Sequence, residues 1–274
     1  MSHRLEALEL LYREVEQTGK ITIRNSAYKA AKKRVEDANK ELYESRKNLF
    51  PMDHPSFYRI GLYGSSRFDE GDEEYEFVKD LSFSLVKEVV IDDVGLDIMT
   101  GGGPGIMEAA HKGTHKAIKE AEENGYRIKS KNHGVNIELP NVEDSNGLAH
   151  ISTKHADFPP RLQEFFDKSM AGYIAPGGIG TLLELAMVLQ LRQVGHIEKY
   201  YPILAHPVWL PVIEAWNDEM YHKRHAEGRR TLIDESDLNL VQISNCIPDI
   251  VQPIKAGHAK WFRDFRSHLV KLEN

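Results

Sequence analysis

Three short turns carry the residues best suited to chemistry. They are "YGSSR" from Tyr63 to Arg67, "TGGGPGIM" from Thr100 to Met107, and "APGGIGT" from Ala175 to Thr181. Gly64, Gly101, Gly102, Gly103, Gly105, Gly177, Gly178 and Gly180 have no Cβ, so their backbone N–H groups can come close to an anion. Ser65, Ser66 and Thr181 add hydroxyl donors. Each turn runs into a helical pattern, and a helix start contributes roughly half a positive charge. Convergent turns of this kind can seat a phosphate monoester. For any one of them, a simple chain reversal is the better explanation of the glycines. Three at successive strand ends favour the cradle.

A carboxylate follows the third turn. Thr181 and Glu184 have capping-box spacing, which places them at Ncap and N3 of a helix and gives Glu184 a structural role. The same placement sets Glu184 in the first turn of the helix whose start would face the phosphate. It would then lie near the rest of a small phosphorylated ligand. Arg161 opens the helix before the preceding strand and reads as its partner or as a solvated surface arginine. Glu138, in "GVNIELP", stands at another strand end, where contact with a ligand and a solvated loop acid are both open readings.

Other chemistries lack their patterns. No G-x-x-x-x-G-K-[ST] occurs, and no G-x-G-x-x-G is followed by an acid at the ribose-binding distance. There is no G-x-S-x-G nucleophile elbow. His111 and His115 have zinc-pair spacing, but Lys112 stands where H-E-x-x-H needs glutamate. They read as solvated helix histidines. The expectation is no metal and no cofactor.

These turns need strands before them and helices after them. From Tyr58, short apolar runs alternate with helical stretches, which predicts a doubly wound, mostly parallel α/β sheet with helices on both faces. In such sheets ligands bind at the carboxyl ends of the strands. The expected organisation is an N-terminal helical extension over 1–57, a Rossmann-like nucleotide-binding catalytic domain over 58–255, and an amphipathic C-terminal helix over 256–274. Within the domain, "IPDIVQPIKAG" reads as a last core helix, "LNLVQIS" as a last short strand, and "VWLPVIEAWNDEMYHKRH" as one helix.

Composition sets the remaining bounds. The chain has 274 residues, 41% of them hydrophobic, and a formal net charge of -7. That charge argues against a nucleic acid polymer as partner. The single cysteine, Cys246, rules out an intrachain disulfide framework. No apolar run is long enough to span a bilayer, and the charged start is no signal peptide. The expectation is a cytoplasmic protein without membrane contact.

The segments "GGGPGIM", "RLQEFFDKSMAGYIAPGGIGTLLE" and "GVNIELP" resemble the lonely-guy (LOG) family of phosphoribohydrolases, some of whose members were once mislabelled lysine decarboxylases. The signature P-G-G-x-G-T-x-x-E is matched from Pro176 to Glu184, and Arg161 occupies the place of a characteristic arginine. The resemblance covers about 58–255. It implies a Rossmann-like fold, a homodimer or higher homo-oligomer with the site near the subunit interface, and cleavage of a nucleoside 5′-monophosphate to free base and ribose 5-phosphate. It further implies Arg161 and Glu184 as catalytic residues and the glycine turns as the phosphate anchor. Leu162 follows Arg161 where plant-type members have lysine, so the chain resembles bacterial nucleotide 5′-monophosphate nucleosidases more closely. The alternative is a non-catalytic nucleotide or cofactor carrier of the same superfamily. An oxidoreductase using a dinucleotide lacks its acidic ribose anchor.

Overall fold

A computed structural model describes residues 58–91, 95–138, 145–197 and 201–272. The helical extension expected over 1–57 lies outside the described residues. The strands are β1 (Tyr58–Tyr63), β2 (Leu96–Thr100), β3 (Asn132–Ile137), β4 (Ile151–His155), β5 (Ala171–Ile174), β6 (Ile203–Ala205) and β7 (Gln242–Ile243). The helices between them are α1 (Glu73–Glu88), α2 (Ile106–Glu123), α3 (Phe158–Lys168), α4 (Ile179–Gln193), α5 (Leu210–Asn217), α6 (Lys223–Ala226) and α7 (Ile247–Leu272). All strand pairs are parallel, in the order β4-β3-β2-β1-β5-β6-β7. This is the α/β Rossmann-like fold.

Both faces of the sheet are covered, so its central strands are buried almost throughout rather than alternating between buried and exposed. Tyr58, Ile60 and Leu62 of β1 pack with Val78, Leu81 and Leu85 of α1 and with the alanine face of α2. Tyr63 and Met99 point the other way, into a second core with Phe165 of α3 and Leu185 and Val188 of α4. Burying each large apolar side chain contributes about 1.5–3 kcal/mol. These layers therefore hold α3 and α4 firmly on the face where Arg161 and Glu184 originate.

The chain builds outward from β1 through β2, β3 and β4, then returns to place β5 on the other side of β1. The reversal leaves a crevice at the carboxyl ends of β1 and β5. The turns Gly64–Arg67 and Ala175–Thr181 leave the sheet there.

Four local expectations are corrected. Helix α4 begins at Ile179 with Gly178 as its N-cap, so Thr181 is inside the first turn and no capping box forms. Gly177 permits this, because the Thr181 side chain lies over its Cα, where a Cβ would collide. The last core helix and the tail are one continuous helix, α7, with Pro253 inside it. Gly257 does not end it; a Cβ there would stand 2.6 Å from the Tyr58 hydroxyl, so the glycine serves close packing. The helix expected after β6 is broken by a π-helical segment, Asp218–His222, between α5 and α6. The strand expected over "LNLVQIS" shrinks to Gln242–Ile243, because Glu235–Asn239 forms a 3-10 turn held by an Asp234–Asp237 capping box.

Candidate active site

The three turns converge through Ser65. Its N–H donates to the Pro176 carbonyl at 3.1 Å, and its own carbonyl accepts from the Ile106 N–H at 3.0 Å. The first turn is thereby tied to the other two. Gly105 makes this possible. Its φ is +67°, and a Cβ would stand 2.5 Å from the Ser65 carbonyl oxygen. Gly64 is similarly bare because Ile106 packs against it.

The Gly101–Gly103 turn is supported from beneath. The Thr100 hydroxyl accepts from the Gly102 N–H at 3.0 Å and lies 3.1 Å from His111 Nε2. His111 Nδ1 lies 3.3 Å from the Asn146 side-chain oxygen. Asn146 in turn donates its side-chain N–H to the Gly103 carbonyl at 2.8 Å and its backbone N–H to the Gly102 carbonyl at 2.8 Å. His111 is buried, which pushes its pKa down to about 4 and keeps the ring neutral. This corrects the solvated-histidine reading: His111 is a structural strut, and His115 Nε2 lies 3.0 Å from the Leu148 carbonyl.

Above these turns lies a cleft of about 590 Å³. Gly64, Ser65, Ser66, Gly101 and Gly103 line it, as do Gly178, Gly180 and Thr181 on the α4 side. Gly178 and Gly180 have open space where a Cβ would be, so the first turn of α4 faces the cleft unobstructed. The first N–H groups of a helix have no intrahelical partner, and together with the helix dipole they attract an anion. Gly102, Gly105 and Gly177 sit behind the lining and shape the turns. Glu138 is outside it. Its side chain is exposed and pairs with Lys154 at 3.1 Å.

Arg161 and Glu184 both line the cleft, and Arg161 Nη1 stands 3.7 Å from Glu184 Oε1. Arg161 Nε donates to the Val135 carbonyl at 2.9 Å, and the guanidinium lies over the Phe165 ring at 5.0 Å. These contacts fix the arginine between β3 and α3. The 3.7 Å separation is an ion pair but exceeds hydrogen-bond length. Burial pushes the Glu184 carboxyl up to about pH 7, and the Arg161 charge opposes that rise. Burial also lowers the Arg161 pKa, which Glu184 partly restores. The pair thus consists of a desolvated carboxyl poised near neutrality and a fixed cation.

The lining also holds residues that motif reading passed over. Arg67, at the end of the first turn, is exposed at the cleft. Asn136 and Phe158 reach the cleft from the ends of β3 and β4 respectively, Phe158 as the first residue of α3. Arg67 and Asn136 stand within quoted motifs and Phe158 just ahead of one, but no spacing rule singles them out.

A family model described as possible lysine decarboxylase matches residues 107–250. The chain belongs to this family. The family match takes in Arg161, the third turn and Glu184, and starts at Met107, the last residue of the second turn. No curated protein matches the chain. Among solved structures, it is similar to the molybdenum cofactor carrier protein of Chlamydomonas reinhardtii at 16% identity and a TM-score of 0.48, over 74% of this chain and 99% of that one. It is also similar to the molybdenum cofactor binding protein of Rippkaea orientalis at 18% identity and a TM-score of 0.44, over 73% of this chain and 96% of that one. Among the described residues, no helix is long and apolar enough to cross a membrane.

Proposed function

We propose that the protein hydrolyses the N-glycosidic bond of nucleoside 5′-monophosphates, releasing free base and ribose 5-phosphate. One observation carries the reading. A buried carboxyl, Glu184, stands beside a fixed guanidinium in the same cleft that the amide-rich start of α4 faces. The 5′-phosphate sits at that helix start with Ser66 and Arg67. The ribose then extends toward Arg161 and Glu184, so binding at the phosphate positions the scissile bond.

As the C1′–N bond breaks, its electron pair leaves with the base and positive charge develops at C1′ and the ring oxygen. Ionised Glu184 stabilises that charge and accepts a proton from the attacking water. The water oxygen bonds to C1′, and the proton passes to the departing base. Arg161 keeps Glu184 available in its charged form and meets the sugar hydroxyls.

The family description names a decarboxylase. A Schiff-base cofactor of the kind used in such chemistry attaches through a lysine. No lysine lines the cleft among the described residues. Assembly as a homodimer or higher homo-oligomer belongs to the same proposal, as does the division at 58–255.

The test is a chromatographic assay of AMP, GMP, CMP and UMP with the wild-type protein. Free base and ribose 5-phosphate in equal amounts are expected. Binding of all four without base release would leave a carrier instead.

A further inference from the structure

We propose that Phe158 is the residue that receives the nucleobase, by stacking its ring on the base face. This rests on the nucleosidase reading above and names the part of the site that reads the leaving group. Phe158 is 41% exposed, yet it lines the cleft. Of the exposed aromatic side chains among the described residues, it is the one that does so. An exposed phenyl ring in the lining of the cleft adds little to the fold and offers a flat apolar surface to a ligand.

Its position follows from helix geometry. Phe158 and Arg161 stand three positions apart on α3 and so project from one face, about 4.5 Å apart along the helix axis. Arg161 and Glu184 mark the place of the anomeric carbon. The base is bonded directly to that carbon, so it falls within about one helical turn of Arg161, where Phe158 stands. Pro159 and Pro160 follow immediately and limit backbone freedom at and after Phe158, so the ring is held on a stiff support. On α4, Ile179 is 82% exposed and also lines the cleft, adding a second apolar surface.

Reading by the face rather than the edge also fits the polar lining. The donor side of Asn136 is committed elsewhere: its side-chain nitrogen lies 2.8 Å from Ser152 Oγ, 3.2 Å from the Thr153 carbonyl and 3.3 Å from the Gly134 carbonyl. Stacking accepts any base, since each presents a π-face.

The experiment is calorimetric titration with AMP and with ribose 5-phosphate, which lacks the base. It uses Glu184→Gln protein to prevent turnover, with and without Phe158→Ala, and thermal melts confirm that each variant is folded. The expected result is a loss of AMP affinity of roughly tenfold or more, with ribose 5-phosphate affinity kept within about twofold. Phe158→Trp should restore AMP binding. Equal losses for both ligands, or no loss for either, would overturn the stacking role and leave the nucleosidase reading standing. If the Glu184→Gln parent binds neither ligand, the proposed function fails and the stacking role falls with it.

Discussion

Arg161 Nη1 and Glu184 Oε1 stand 3.7 Å apart, and each side chain is about one-tenth exposed. They come from different helices, α3 and α4, on the same face of the sheet. Neither is a surface charge, and Glu184 is not consumed by a helix cap. An ion pair this desolvated, and longer than a hydrogen bond, leaves both partners able to turn to a ligand hydroxyl or water beside them.

Glu184→Gln should abolish base release. We expect a fall of at least about 10²-fold in kcat, since the charged group that meets the developing cation is gone. The fold should survive, because no capping bond depends on the carboxylate. Release of free base at an undiminished rate would remove Glu184 from the mechanism.

The same group sets a pH dependence of stability. Its folded pKa is raised to about 7, above the ordinary carboxyl value. The native state therefore holds its proton more tightly than the unfolded chain. Stability is greatest below the unfolded pKa and declines as pH rises toward 7, after which the penalty is constant. Glu184→Gln removes this slope. Its melting temperature should gain on the wild type between pH 5 and pH 8, and a constant difference would contradict the shift.

Activity should follow the opposite course. If ionised Glu184 does the work, kcat/KM rises with pH and levels off above about 7. Arg161→Ala should move that inflection to higher pH, because the guanidinium is what restrains the rise of the carboxyl. A pH–rate profile of wild type and variant checks both statements.

Two glycines should respond differently. Gly105→Ala forces a side chain into left-handed backbone and against the Ser65 carbonyl. It should cost about 1–3 kcal/mol from strain alone and separate the first two turns. Gly178→Ala has ordinary φ and open space, so stability should stay within about 0.5 kcal/mol. Its methyl group enters the cleft instead, and the KM for AMP should rise. Chemical denaturation and steady-state kinetics separate the two effects.

His258 provides a test away from the cleft. It is fully buried among Tyr58, Trp261 and Phe262, and neither ring nitrogen has a hydrogen-bond partner among the described residues. Burial lowers its pKa to about 4. The unfolded chain takes up the proton near the ordinary value of 6.5, so stability falls as pH drops from there toward 4. His258→Phe should reduce this acid sensitivity. His111, also lowered to about 4, leaves part of it in place.

Much of this architecture can be read along the chain. Alternating apolar runs and helical periods predict the parallel sheet, and glycines at strand ends predict where ligands enter. Both signals are local, since they reflect backbone geometry over a few residues. The capping-box reading of Thr181 and Glu184 failed for a non-local reason. The helix starts earlier because Gly177 lets Thr181 pack over it, and that packing is not visible in the spacing. His111 looked solvated because helical period alone does not say that Thr100 and Asn146 cover it.

The chain by itself therefore determined the kinds of elements, their succession and the chemical types gathered at the turns, because each depends on near neighbours. The tertiary structure decided that β5 lies beside β1, that Ser65 joins all three turns, and that Phe158 shares a face and a cleft with Arg161. It also decided the protonation of Glu184, since a carboxyl's pKa depends on how much water the rest of the fold leaves around it.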